Sequence, residues 1–261
     1  MTVENLLSTF EGLILPVIIF LLLAILAKKK TFELLPIKST VENVALIIIN
    51  GIVLIPFLFI YSNLFEFEAL FLNSNSVWQS YPPIICFLFV LLIGDFIGYW
   101  RHRFEHTRFL WPSHLIHHSD QKMIWLTLQR FHPLNRISTV FIDGGLLYFL
   151  GFPLEAVIFN STVRHYYGYF IHADLQWHYG KLNKVFVSPL LHQAHHAQPR
   201  EYHHSNFATL FSFYDVLFNT YKMPSSKNFE LGVAYAKKMS LMEQLVYPFK
   251  KSSYFKFKTK Q

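Results

Sequence analysis

The chain has 261 residues, of which 52% are hydrophobic and 15% charged, with a formal net charge of +7 and one cysteine. So few charges, against roughly 25% in soluble domains, argue against a soluble protein and for one membrane-embedded domain. The single cysteine excludes a disulfide framework and a thiolate metal site. The basic excess does not point to nucleic acid, because there is no zinc-finger spacing and no basic helix; the cations flank apolar runs, where anionic headgroups account for them.

Residues Gly12 to Ala27 are uncharged and mostly Leu, Ile and Val, and Lys28, Lys29 and Lys30 follow. A span takes about 20 residues, which Leu6 to Phe10 can supply by extending the run past Glu11. Positive charge after the apolar run, rather than before it, reads as a retained anchor with its lysines in the cytoplasm. Asn43 to Tyr61, uncharged and interrupted by Pro56, crosses back. Ser62 to Pro82 has no Lys or Arg and carries Glu66 and Glu68, as suits the opposite face. Pro83 to Trp100 has one charge, Asp95, and ends in Arg101-His102-Arg103. This puts His102 and His106 at the cytoplasmic end of a membrane helix.

Trp111-Pro112 breaks that helix, and Pro112 suits the first turn of a new one carrying His114, His117 and His118. Two further apolar segments, Ile137 to Leu150 and Leu154 to Ile171, are separated by Gly151-Phe152-Pro153. They read as a re-entrant hairpin or two tilted spans, and His172 emerges on the cytoplasmic face. From Ala173 onward no run is long enough to cross. Ser188-Pro189 reads as a helix start with a serine cap and proline in the first turn, and His192, His195 and His196 follow. The basic aromatic tail, Tyr254 to Lys260, lies at the interface or is disordered. The expected fold is all-α: an integral membrane helical bundle with a cytoplasmic helical cap carrying the histidine clusters. Its divisions are N-terminal anchor helices (1–82), a histidine-rich region (83–221) and a basic aromatic tail (222–261).

His102 and His106 are i, i+4. His114, His117 and His118 are i, i+3, i+4, and His192, His195 and His196 repeat that spacing. Such residues are neighbours on a helix surface. One histidine on an apolar face is ordinarily structural, but three clusters on one membrane face are hard to explain by packing. Neutral imidazole suits Fe, Zn, Cu and Ni. Eight uncharged ligands exceed what one zinc ion takes, typically four, so two metal ions are the economical count. A site at the membrane face meets lipids, whose unactivated C–H bonds need transition-metal oxygen chemistry. This favours iron over zinc.

The pattern HxxxH, HxxHH, HxxHH resembles the fatty acid hydroxylase/sterol desaturase superfamily of membrane enzymes. Asp95-Phe96, Tyr99-Trp100 and His102-Arg103 look like its first box. His117-His118-Ser119-Asp120, with Arg130 and His132-Pro133-Leu134, look like its second region. Phe170-Ile171-His172-Ala173 looks like a segment with an isolated histidine. Asn206-Phe207, Tyr214-Asp215 and Leu217-Phe218 look like the stretch after the third box. The resemblance covers about Asp95 to Tyr221, roughly half the chain. Two positions depart from it: Asn135 and Arg136 stand where an acidic residue often follows His-Pro-Leu, and Asn219 stands where Gly usually precedes Thr. The resemblance implies a non-haem di-iron centre that uses O2 to hydroxylate or desaturate a lipid, whether fatty acyl, sterol or ether lipid. His102, His106, His114, His117, His118, His192, His195 and His196 are then ligands and His172 a ninth. Electrons come from a separate donor protein, as no flavin, haem or cytochrome motif is present.

Among lesser residues, Asp95 shares a helix face with Tyr99 and His102. A carboxylate there either orients a ligand histidine or makes a structural hydrogen bond. Asp120 is a similar candidate, with a helix cap as its alternative. His132 is a candidate ligand or ligand partner. His203 or His204 is a candidate partner of a bound water or ligand, with a surface loop as the plainer reading. Asp174 and Asp215 orient ligands or cap helices, and His165 and His178 are structural or interfacial. Two competing readings stand beside the oxygenase: a zinc-dependent membrane hydrolase, disfavoured by the absence of HExxH, and a metal- or lipid-binding membrane protein without chemistry. Because ligand imidazoles must be unprotonated, activity is expected to fall below about pH 6.

Overall fold

The computed structural model describes residues 37–69, 77–225 and 228–255. The first apolar run, the Lys28–Lys30 triplet and the last lysines of the tail lie outside the described residues. Helices dominate, as expected; the β-structure among the described residues is one isolated antiparallel bridge, Ala197 to Leu231.

Two long helices open the described chain. α1 spans Ile37–Ala69 with Pro56 inside it. α2 spans Pro83–Glu105 and starts on a proline, whose missing N–H costs nothing in a first turn. Ile37–Phe57 and Pro83–Glu105 are long and apolar enough to cross a membrane, with mean hydropathies of 1.9 and 2.0. The core helix of a soluble protein would bury such surface, yet only 17% and 33% of the most apolar stretches are buried. Ile48, Ile52, Ile55 and Phe59 on α1, and Ile84, Leu88 and Phe89 on α2, are exposed. Apolar surface this continuous is stable against lipid rather than water, and it marks a membrane protein.

After α2 comes α3, Trp111–His114, with Pro112 in its first turn as expected. The expectation that one helix carries His114, His117 and His118 is corrected: α3 ends at His114, and His117–Ser119 form a separate 3-10 turn. The Ile116 carbonyl shows why. It accepts from the Ser119 hydroxyl at 2.7 Å and from Arg130 Nε at 3.1 Å, while the Ser119 N–H closes on it at i+3. Side chains take the acceptor that a continuing α-helix would use.

The segment expected over Ile137 to Leu150 is helical but composite. α4 (Pro133–Thr139) runs into a π turn over Val140–Gly144 and then into α5 (Gly145–Phe149). Gly151 ends it at φ 80°, a conformation that glycine adopts without strain. α6, Leu154–His172, then returns along α2. That approach depends on Gly94 and Gly98. A Cβ at Gly94 would collide with the Asn160 side chain, and one at Gly98 with the Arg164 guanidinium. Arg164 thereby crosses the face of α2 and reaches Asp143 at 2.8 Å and Asp95 at 3.4 Å.

α7, Pro189–His195, starts as expected, with the Ser188 hydroxyl accepting from the Leu191 N–H at 3.3 Å. α8 (Phe213–Leu217), α9 (Leu241–Val246) and α10 (Lys251–Phe255) complete the chain. One apolar cluster joins α2 to α5 and α6 through the free Cys86, Val90, Leu147 and Ala156. A second packs Tyr99 and Ile171 against Val187, Phe207 and Ala208, and so anchors the loop after α7 to the ends of α2 and α6.

Candidate metal centre

Nine histidines arrive at one place from four directions. α2 brings His102 in its last turn and His106 at its C-cap, α3 and the 3-10 turn bring His114, His117 and His118, α6 ends on His172, and α7 brings His192, His195 and, at its C-cap, His196. They form two groups. His102, His106, His114, His118 and His195 make one, and His117, His172, His192 and His196 make the other, with ligand nitrogens in each within 4.8 Å of one another. Each HxxHH box is therefore divided. The i, i+4 pairs stay together (His114 with His118, His192 with His196), while the i+3 residue turns to the other group.

Hydrogen bonds define the protonation of this cluster. His102 Nδ1 lies 2.8 Å from the Phe207 carbonyl, His195 Nδ1 2.7 Å from that of Ser205, and His172 Nδ1 2.7 Å from that of Gly168. His106 Nδ1 lies 3.2 Å from the His203 carbonyl. A carbonyl only accepts, so each Nδ1 carries the proton and each neutral ring presents Nε2 as a lone pair. Yet His102 Nε2 and His195 Nε2 face each other at 3.0 Å. His172 Nε2 lies 3.0 Å from His192 Nε2 and 3.3 Å from His117 Nε2, and those of His114 and His118 are 3.2 Å apart. Two lone pairs cannot hydrogen-bond, so the His102–His195 pair, whose tautomers are both fixed by carbonyls, calls for a cation. The buried Nε2 atoms of His106 and His196 have no hydrogen-bond partner at all.

Burial also keeps the rings neutral. It pushes His195 down to about 4, with the neighbouring His204 and His203 opposing its charge further. His114, His117, His118 and His196 are driven well below the ordinary histidine range, first by burial and then by the other histidines of the cluster. Neutral, buried imidazoles suit first-row transition metals, whereas Mg and Ca select carboxylate and carbonyl oxygen. These residues therefore fit a pair of metal ions, one per group.

The orienting carbonyls are themselves held. Asp215 accepts from the Phe207 and Ala208 N–H groups at 2.7 and 3.0 Å and from the Thr220 hydroxyl at 2.7 Å. Asp95 accepts from the N–H groups of Thr209, Leu210 and Phe211. Of the two readings of Asp95, the structural hydrogen bond is the one observed: it clamps the loop whose Phe207 carbonyl orients His102. Asp120 likewise takes a structural role rather than orienting a ligand. It accepts from the hydroxyls of Ser39 and Thr127, both at 2.8 Å, and ties α1 to the turn after His118. His132 caps α4, with Nδ1 accepting from the Leu134 N–H and Nε2 donating to the Leu245 carbonyl, so both ring nitrogens are engaged away from the centre. His203 contributes its carbonyl to His106, while exposed His204 sits with its ring 6.3 Å from that of His106. His165 packs on Tyr169, and His178 and Asp174 are exposed.

One carboxylate at the centre was not singled out by sequence. Glu105 is fully buried, with Oε2 3.3 Å from His114 Nδ1 and Oε1 2.8 Å from Arg101. Its position beside His106 and four residues after Arg101 is the signal that could have found it. Arg101 also binds Asp143 at 2.6 Å from the π turn. Phe131, stacked on His117 at 4.4 Å, was missed as well.

Two cavities flank the histidines. One, of about 400 Å³, is reached by His106, His118, His195 and His196 and is walled by Arg200, His204 and Tyr235. The other, of about 520 Å³, is reached by His102, His114, His117, His172 and His192, and it runs between α4 and α6 to Leu154, Val157 and Ile158.

Residues 87–220, half of the chain and all nine histidines, match the fatty acid hydroxylase family. The chain belongs to that family. Among curated relatives, the ornithine lipid hydroxylase OlsE of Rhizobium tropici is 26% identical over 183 residues, covering 69% of this chain and 55% of that protein. Alkylglycerol monooxygenases of Caenorhabditis elegans and Homo sapiens are each 26% identical, covering 52% and 51% of this chain and 26% and 30% of theirs. The chain thus spans at most about half the length of these relatives. No solved structure matches.

The two departures from the fatty acid hydroxylase pattern have structural readings. Asn219 adopts φ 56°, the left-handed region where glycine is at ease and asparagine is tolerated. Thr220 therefore still bridges Asp215 and, at 2.9 Å, the Tyr99 hydroxyl. At the other departure, Asn135 is buried while Arg136 faces the larger cavity.

Proposed function

We propose that this protein is a membrane-embedded, O2-dependent lipid hydroxylase whose two histidine groups each hold one iron ion. The observation that carries this reading is the facing of the neutral Nε2 lone pairs of His102 and His195, with a second buried group of four imidazoles beside them. Bound iron supplies the redox chemistry that insertion of oxygen into an unactivated C–H bond requires, which zinc lacks. In the balance, one oxygen atom enters the C–H bond and the other leaves as water. The two electrons consumed come from a separate electron-donor protein and the two protons from solvent.

The chain's own residues prepare the site. The carbonyls of Phe207, Ser205, Gly168 and His203 hold the rings in the tautomer that presents Nε2. Glu105 stands beside His114 Nδ1 and balances Arg101. Phe131 and Phe207 pack on ligand rings and exclude water. The cavity ending at Leu154 and Ile158, both exposed and apolar, gives a lipid sideways access from the bilayer. The basic bias after the first and third apolar runs supports a multi-pass chain with the histidines on the cytoplasmic side. The names of the relatives favour hydroxylation over desaturation.

Metal analysis of the full chain purified from membranes, with lipid profiling of cells that do or do not produce it, tests the proposal. Two irons per chain and lipids heavier by one oxygen are expected. His117→Ala and His195→Ala should each lower the iron content while leaving membrane insertion intact. Zinc with oxygen-independent turnover would instead favour a hydrolase, for which Glu105 is the nearest carboxylate although Arg101 engages it.

A further inference from the structure

The larger cavity is lined by three guanidinium groups, Arg101, Arg136 and Arg164, and two carboxylates, Glu105 and Asp143. Arg101 is matched by Glu105 and Asp143, and Arg164 by Asp143 and by Asp95 just outside the cavity. Arg136 is left over. Its guanidinium makes no hydrogen bond or ion pair among the described residues; the titratable groups that act on it are the Tyr169 phenol and the like-charged Arg101. Burial makes that charge costly. Cations in membrane-embedded protein ordinarily pair or mark a substrate path. The same cavity runs from His117 and His172 at one end to Leu154, Val157 and Ile158 at the other, so an occupant meets metal ligands, a free guanidinium and an alkyl-compatible wall together.

We infer that Arg136 is a specificity residue that binds the anionic group, carboxylate or phosphate, of an amphiphilic lipid lying in this cavity. The inference rests on the hydroxylase reading only in naming the occupant a substrate. A guanidinium offers a planar fork of donors that matches either oxyanion. A neutral lipid would leave that fork desolvated and unpaired, whereas a soluble anion would gain nothing from the apolar wall.

The test is equilibrium binding to the purified full chain in phosphatidylcholine nanodiscs, with radiolabelled palmitate and hexadecyl phosphate as anionic probes and hexadecanol as the neutral one. The wild type should bind both anions at least about tenfold more tightly than the alcohol, as a charge-assisted hydrogen bond allows. R136Q should erase that preference and R136K retain part of it, with iron content unchanged in both. Equal binding of the three probes by the wild type, or an undiminished preference in an R136Q protein that keeps its iron, would overturn the assignment. So would displacement of hexadecyl phosphate by an equal concentration of inorganic phosphate, which would make the ligand a soluble anion. Arg136-dependent binding without any hydroxylated product would sink the hydroxylase reading and leave this one standing. Hydroxylation of palmitate or hexadecyl phosphate by R136Q at the wild-type rate and apparent affinity would do the reverse.

Discussion

Glu105 gives a single side chain unusual leverage over the centre, because it stands between the His114 ring and the Arg101 guanidinium. Glu105→Gln keeps the shape and removes the charge. Loss of such a ligand partner typically weakens metal affinity about 10- to 100-fold. Chelator titration should therefore show one of two irons released that much more easily, the one held by the group containing His114. Equal release of both would refute the role. Asn219 tests the backbone in the same way. Asn219→Gly should be nearly neutral and Asn219→Ala should cost about 1–2 kcal/mol, the left-handed penalty for a residue with a Cβ, read by thermal melting in detergent. Neither residue stood out in the sequence as a contributor to the site, since a carboxylate beside a histidine and an Asn-Thr step are common. Their roles depend on what faces them.

At the scale of elements, the α2–α6 contact positions His102 and His172 and rests on Gly94 and Gly98. Gly98→Ala forces the Arg164 guanidinium off the face of α2, and overpacking of this kind costs about 1–3 kcal/mol. Gly51→Ala on α1 is the control: its Cβ meets nothing within 4 Å, so it should be neutral or slightly stabilising. Equal melting temperatures for the two variants would contradict the packing argument. Element starts were legible, because Pro83, Pro112 and Pro189 each mark a first turn through one local rule. The continuity of the second histidine segment was not. Spacing of i, i+3, i+4 fits an α-helix and an α-turn followed by a 3-10 turn alike, and Arg130, eleven residues beyond Ser119, decides between them.

Over the whole molecule, burying nine histidines makes the metal-free protein sensitive to acid. His195 has its folded value lowered to about 4, against roughly 6.5 in an unfolded chain. Between these limits the unfolded state binds more protons, so stability is full above about pH 6.5 and is lost as pH falls towards 4. His195 alone contributes of the order of 3 kcal/mol, and the other buried rings act in the same direction. The melting temperature of the chelator-treated protein should fall steadily from pH 7 to pH 4.5, and a flat profile would contradict the burial. The expected acid limit near pH 6 came from the reference value of an exposed histidine; burial of the rings extends their neutral form below it.

Residue type and local spacing carried a great deal: the apolar runs, the helix starts, the three boxes and, through a family resemblance, the isolated His172. All of these are patterns within a few residues along the chain, where backbone geometry fixes which side chains are neighbours. The division of each box between two groups, the carbonyls that hold each tautomer, the clamp made by Asp95 and the unmatched Arg136 are different in kind. His195 meets His102 across 93 residues of chain, and Asp95 meets Phe211 across 116. Spacing encodes a helix face, but which faces meet, and which charges are left without a partner when they do, is decided by packing.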